Sequence, residues 1–181
     1  GKAQQLTNDL RNLDTFNWGY DPHHFNAPEG SYASSAEGVE RIVEMRAMIQ
    51  ALHEMGLRVA LDVVYNHTNA SGVFSKSVLD KAVPGYYHRY EVDTGAIVRE
   101  TCCDDTEPRN VMMEKFMKDS LLMWTEHYKY DSFRFDIMSQ ATKDTMVRLR
   151  DAVHSIDEDN YFYGEGWTKI DRGYEQASQL N

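Results

Sequence analysis

Residues 57–65 read LRVALDVVY, a nearly continuous apolar run closed on its N-terminal side by Gly56. A short run of this kind is how a parallel β-strand covered on both faces reads. The preceding residues, 34–55, place Val39, Ile42, Met45, Ile49 and Leu52 at helical spacing. Ser34 with Glu37 three residues on reads as a capping box, and Gly56 supplies the stop. The alternation then continues. Residues 110–128 put Met113, Phe116, Met117, Leu121, Trp124 and Tyr128 on one helical face, ahead of a short strand at 132–136. Residues 142–156 do the same with Met146, Leu149, Val153 and Ile156, ahead of a strand at 161–164. Helices set between short buried strands predict right-handed βαβ units, an α/β fold and a parallel sheet.

Two segments fall outside this pattern. Residues 1–33 carry turn formers and aromatics without a strong period, and residues 66–109 connect a strand to the next helix. A usual βα connection has about 2–6 residues, so the second segment is far too long to be a plain link. Its aromatics, Phe74, Tyr86, Tyr87 and Tyr90, predict an ordered and functional loop.

Charge and cysteines narrow the classes of partner. A formal net charge of −10 argues against nucleic acid, because phosphate contacts need Lys and Arg patches; acidity that simply favours solubility accounts for it. No run is long and apolar enough to cross a membrane, and no membrane partner is expected. The start, GKAQQ, lacks a secretory signal, which leaves localisation undecided if the chain is a piece of a longer one. Cys102 and Cys103 are the only cysteines and are adjacent. Neighbours close only a strained ring, so both are expected as reduced thiols, which slightly favours a cytoplasmic setting. Without a second pair they also make a poor zinc site. His23, His24 and His88 read as hydrogen-bonded loop histidines, and no acidic loop has EF-hand spacing, so neither metal nor cofactor is expected.

The chemistry collects at the strand ends. The first run continues Asp62-Val63-Val64-Tyr65-Asn66-His67, the second ends Arg134-Phe135-Asp136, and the third ends Gly164-Glu165-Gly166-Trp167. Parallel α/β folds place their sites at the C-terminal ends of the strands. Alternation sends Arg134 and Asp136 to the same side, and Asp136 and Glu165 are expected on neighbouring strand ends. Retaining glycosidases need two carboxyl groups about 5–5.5 Å apart, close to the strand spacing of about 4.8 Å. Arg134 is expected to keep Asp136 ionised. On spacing alone, charges that simply pair across strand ends remain an equal reading.

The motifs add a resemblance. DVVYNH (62–67), FRFD (133–136) and YGEGW (163–167) resemble, in order, the first three conserved regions of the α-amylase superfamily of glycoside hydrolases. NWGYDP (17–22), PEGSYAS (28–34), VPGYYHR (83–89) and ETCC (100–103) are similar to type I pullulanases in particular. The resemblance runs almost end to end. It implies that residues 1–181 are the central part of a (β/α)₈ TIM barrel, from about the second βα loop through the fifth strand and incomplete at both ends. Asp136 would be the nucleophile, Glu165 the general acid and base, and Arg134 the group that orients Asp136. His67 would contact the sugar in the cleaving subsite, and Tyr20 would stack on it. Asp62 and Asn66 match positions that shape the site, and Trp167 would border the place of the leaving branch; structural roles stay open for all three.

The implied reaction is retaining hydrolysis of α-1,6 branch linkages in α-glucans of the pullulan or amylopectin type. An α-1,4-acting amylase or neopullulanase-like enzyme, and a non-catalytic glucan-binding homologue, are the alternatives. Some relatives bind calcium, but no ligand set for it is legible here. Three departures stand out: Ser139-Gln140-Ala141 replaces a family Gly-His-His, Phe16 replaces a Tyr, and Glu107-Pro108-Arg109 replaces an uncharged polar stretch. The third catalytic carboxylate of the family is expected beyond Asn181, and the 181 residues alone are expected to be inactive.

Overall fold

The computed structural model describes residue 2, residues 18–167 and residues 171–178. Phe16, and the Asn17 that opens NWGYDP, lie outside the described residues. After a 3₁₀ turn at Gly30–Tyr32 come helix α1 (Glu40–Glu54), strand β1 (Ala60–Val63), strand β2 (His67–Thr68), helix α2 (Leu79–Ala82) and strand β3 (Asp104–Asp105). Helix α3 (Val111–Met123) runs into a π-helical turn at Trp124–Tyr128, then strand β4 (Ser132–Phe135) and a 3₁₀ turn at Met138–Gln140. Helix α4 (Lys143–His154) and strand β5 (Tyr161–Gly164) follow.

The fold is mixed α/β. β1, β4 and β5 form a parallel sheet in that order, with Ala60 opposite Ser132 and Ser132 opposite Tyr161. β4 is the middle strand, and its Phe133 and Phe135 are both buried. Phe162 packs edge-on to Phe133, with ring centroids 5.6 Å apart. Met113, Met117 and Leu121 of α3 and Leu149 and Val153 of α4 complete this core. The apolar face read for 110–128 is therefore the buried one. Lys129, at φ 65°, turns the chain out of the helix into β4.

Several boundaries move. The capping box at Ser34 and Glu37 does not form, because Gly38 takes the left-handed φ of 77° and delays the helix to Glu40. Ser34 instead donates its N–H to Glu44 at 3.0 Å. Gly56, at φ 78°, does end α1: the Leu57 N–H reaches the Leu52 carbonyl at 3.0 Å and the Gly56 N–H that of His53 at 2.8 Å. That pattern is a Schellman cap. Of the α1 face only Ile49 is fully buried, while Val39, Ile42, Val43 and Met48 are exposed. The nine-residue run supplies a four-residue strand, and β1 is not covered on both faces: Ala60 and Asp62 are exposed. β1 pairs on one side only among the described residues, and an edge strand keeps a wet face. Ile156 is likewise exposed beyond the end of α4.

The long connection 66–109 is ordered, as its aromatics predicted. β2 pairs antiparallel with β3, His67 opposite Asp105. Asp80 is buried at the middle of the loop, where its carboxylate accepts from the N–H of Gly72 at 2.7 Å and of Gly85 at 3.2 Å. His88 Nδ1 lies 3.1 Å from the same carboxylate. A buried carboxylate with this many partners ties distant turns together without exposing unpaired backbone.

Candidate active site

Register places the carboxylates. Phe135 lies opposite Gly164, so Asp136 and Glu165 are the next residues on adjoining strands. The Asp136 N–H donates to the Val63 carbonyl and the Glu165 N–H to the Phe135 carbonyl, each at 2.9 Å, which extends both ladders by one residue. This close approach needs Gly164: a Cβ there would meet the Phe135 carbonyl oxygen at 2.6 Å. Ile137 then adopts φ 38°, a left-handed conformation that a β-branched residue rarely takes. The turn aims the Ile137 N–H at Glu165 Oε2, 3.2 Å away. Backbone strain beside two carboxylates is a mark of a functional site.

Arg134 joins the three strand ends. Its Nη1 lies 2.8 Å from Asp62 Oδ1 and 3.5 Å from Asp136 Oδ1, and its Nη2 lies 2.5 Å from Glu165 Oε1. The sequence-based expectation that these side chains converge is met. Arg134 acts on Asp136 in the expected direction, since its charge lowers the pKa, but it does not set the outcome. The pKa of Asp136 is raised above the usual carboxylate range: burial is the main cause, and the charge of Glu165 adds to it. The hydrogen bond from Asn66, with the charges of His67 and Arg134, opposes the rise without cancelling it. Asp62 and Glu165 take the shorter contacts to the guanidinium, leaving Asp136 the longest. Arg134 itself is held firmly cationic. Burial disfavours its charge, but the hydrogen bond and charge of Asp62, with Glu165 and Tyr20, outweigh that.

Asn66 Nδ2 donates to Asp136 Oδ2 at 3.0 Å, which fixes the carboxylate from the side away from Arg134. Tyr20 donates its hydroxyl to Asp62 Oδ2 at 2.6 Å, and Arg134 sits 5.7 Å from the centre of its ring. That hydrogen bond, with burial and the Asp62 charge, raises the Tyr20 pKa and keeps the phenol neutral. His67 is buried, with Nε2 2.6 Å from the Tyr20 carbonyl oxygen and Nδ1 3.5 Å from Thr101 Oγ1. Trp167 joins the wall through its carbonyl, which accepts from Ser139 Oγ at 2.8 Å. All eight residues singled out in the sequence therefore stand at one end of the sheet or in the loops beside it.

Sequence reasoning did not find the residues behind His67. Thr101 donates its hydroxyl to Asp105 Oδ1 at 2.7 Å, and Asp105 is fully buried. Cys102 Sγ lies 3.3 Å from His67 Nε2. Cys102 and Cys103, expected as reduced thiols, are instead joined in a vicinal disulfide. The carboxylate of Asp105 accepts from the N–H groups of Glu100 and Thr101 and folds the chain back, so that both sulfurs face Asp21. ETCC was the only signal, and it gave no sign of which partners the fold would bring. Two of the departures from the family are paired within the fold. Gln140 accepts from Arg172 at 2.5 Å, and Glu107 pairs with Arg109 at 2.8 Å and Arg89 at 3.3 Å.

No family model matches the chain. It is 46% identical over 184 residues to a pullulanase of Klebsiella pneumoniae, covering 99% of this chain and 17% of that protein. The crystal structure of Klebsiella pneumoniae pullulanase complexed with maltotriose superposes with a TM-score of 0.91 at 45% identity, over 99% of this chain and 17% of that one. The type I pullulanase of Bacillus subtilis complexed with maltose gives a TM-score of 0.83 at 36% identity, over 92% of this chain and 23% of that one. The chain thus spans about a fifth of the length of the relatives it matches. Identity at this level, carried from end to end and matched by the fold, means that the chain belongs to the type I pullulanase family.

Proposed function

We propose that this chain is the central part of a (β/α)₈ catalytic barrel whose parent enzyme hydrolyses α-1,6 branch linkages in pullulan- or amylopectin-type α-glucans with retention at the anomeric carbon. The observation that carries the reading is Arg134, which touches the carboxylates of Asp136 and Glu165 at the C-terminal ends of adjacent parallel strands. The exposed apolar side chains of α1 and the wet face of β1 are surfaces that further strands and helices of a barrel would cover. A relative crystallised with maltotriose supports an α-glucan as the ligand.

In this reading Asp136 attacks the anomeric carbon while Glu165 protonates the departing glycosidic oxygen. Glu165 then takes a proton from the water that frees the sugar from Asp136. Asn66 and Arg134 hold the nucleophile from two sides, so little reorganisation is needed at the moment of attack. The half-exposed ring of Tyr20 offers a face for the sugar, Asp62 fixes that ring, and His67 holds the Tyr20 backbone carbonyl. Trp167 borders the side on which the branch leaves. The cycle consumes only water and needs no cofactor.

The complete enzyme tests this directly. It should cleave pullulan much faster than linear amylose, and the first-formed product should be the α-anomer by NMR. Faster cleavage of amylose, or a β-anomer formed first, overturns the reading. Glu165→Gln should abolish turnover of pullulan yet spare an aryl glycoside with a good leaving group that the wild type accepts, because such a substrate needs little protonation.

A further inference from the structure

We propose that Asp21, His67, Cys102 and Cys103 form, once the vicinal disulfide is reduced, a four-ligand site for one soft divalent cation of the zinc class in the loops beside the strand ends. Ligand atoms from all four residues lie within 4.8 Å of one another. Asp21 Oδ1 is 3.6 Å from Cys102 Sγ and 3.4 Å from Cys103 Sγ, and His67 Nε2 is 3.3 Å from Cys102 Sγ. A tetrahedral zinc with Zn–S of about 2.3 Å and Zn–N and Zn–O of about 2.0–2.2 Å spaces its sulfur–nitrogen and sulfur–oxygen neighbours by about 3.5 Å. Three of the six edges of the tetrahedron are therefore already near their length, and His67 stands within 4.8 Å of the other two ligand atoms. The edge between the sulfurs must open to about 3.8 Å when the bond between them is broken.

A second observation comes from behind the histidine. Nδ1 of His67 faces Thr101 Oγ1, and that hydroxyl donates to the fully buried carboxylate of Asp105. In the disulfide form Nε2–H donates to the Tyr20 carbonyl at 2.6 Å; because the Thr101 hydroxyl proton is given to Asp105, its oxygen is free to accept from Nδ1–H once the imidazole changes tautomer, which releases Nε2 for the cation. Metal-bound histidines are oriented by a carboxylate through their far nitrogen in this way. The donor set of two thiolates, one imidazole and one carboxylate suits zinc, not calcium or magnesium. Asp21 and Cys102 are exposed, so an ion has a path in. Adjacent cysteines gave no zinc spacing in the sequence, because the other two ligands come from the Tyr20–Asp21 turn and from β2.

The chemistry balances with a phosphine as reductant. The phosphine gives two electrons to the S–S bond, water supplies the oxygen of the phosphine oxide and two protons, and two thiols form. The cation then displaces the two thiol protons. Coordination also takes His67 Nε2 from the Tyr20 carbonyl, so metal binding should block the sugar subsite. This last consequence rests on the function proposed above, whereas the binding itself does not.

The complete enzyme, reduced with a trialkylphosphine and freed of it, should be titrated anaerobically with Co²⁺. One equivalent should bind with the intense visible bands of tetrahedral cobalt and a thiolate-to-metal charge-transfer band, and Zn²⁺ should displace it. The untreated, disulfide-bonded enzyme should show neither band. Cys102→Ser with Cys103→Ser should abolish the charge-transfer band and weaken binding by more than about 100-fold; Asp21→Asn should weaken it by about tenfold. The two sets of variants serve as independent tests if one fails to fold. No cobalt bands after reduction, or unchanged bands in the cysteine double variant, overturns the site. Zn²⁺ should inhibit pullulan cleavage by the reduced enzyme alone, reversibly with a chelator. Tight binding without inhibition leaves the site standing and sinks the block at His67.

Discussion

Strands β1 and β4 lie side by side in the same sheet, and each ends in a carboxylate that touches Arg134. Their environments differ. The side chain of Asp62 on β1 is 44% exposed, while that of Asp136 after β4 is 13% exposed. Asp62 takes the short contact to Arg134 and a hydrogen bond from Tyr20; Asp136 takes the long contact and has its pKa raised, chiefly by burial. β4 is covered by neighbours on both edges and by α3 and α4, whereas β1 is an edge strand among the described residues. One guanidinium therefore serves two carboxylates differently. Position in the sheet decides which carboxylate is desolvated and which is a solvated strut.

Substitution at the two strand ends should separate them most sharply. Asp136→Asn in the complete enzyme should lower kcat by more than about 10³-fold, at least about 4 kcal/mol in activation, with glucan affinity still measurable. If the variant keeps a tenth of the wild-type kcat, Asp136 is not the nucleophile. Next in size is stability. Phe133→Ala, at a fully buried site on β4, should cost about 3–5 kcal/mol in denaturant unfolding. Leu61→Ala, half-buried on β1, should cost less. Equal losses would mean that β1 is as deeply packed in the complete protein as β4.

The smaller effects test the strut. Asp62→Asn removes a largely solvated ion pair, of the kind worth about 0–1 kcal/mol, so kcat/KM should fall by less than about tenfold. A loss as large as that of Asp136→Asn would erase the distinction between the strands. Smallest is a shift in pH profile. A raised pKa means Asp136 takes up its proton, and in the proposed role stops being a nucleophile, at a pH above the ordinary carboxylate range of about 4. Activity should rise as pH increases through that value. Asn66→Ala removes a hydrogen bond that lowers the pKa, so the acid limb of kcat/KM should move to higher pH. A limb that stays put or moves to lower pH would show that Asn66 does not tune the nucleophile.

Much of this was legible in the residues, because helices and strands carry their burial in their spacing. The face from Met113 to Tyr128 came from periodicity, and the order of strands 57–65, 132–136 and 161–164 from an apolar run and from short segments set after the helices. The carboxylates at the strand ends followed from the rule that parallel sheets expose their sites there, and the motifs supplied the roles expected of them. Local exceptions were harder. The capping box failed because a glycine four residues beyond Ser34 took a left-handed φ, a choice that depends on what the following helix packs against.

The sequence by itself determined the repeating helix–strand units, the buried face of α3 and α4, and which acids and bases stand at the strand ends. Each of these depends on neighbours close along the chain. Only the tertiary structure decided which strand lies in the middle, how one arginine divides its charge among three carboxylates, and that Asp21, His67 and the two cysteines meet. Those outcomes depend on desolvation and on distances between residues dozens of positions apart, which no local pattern encodes.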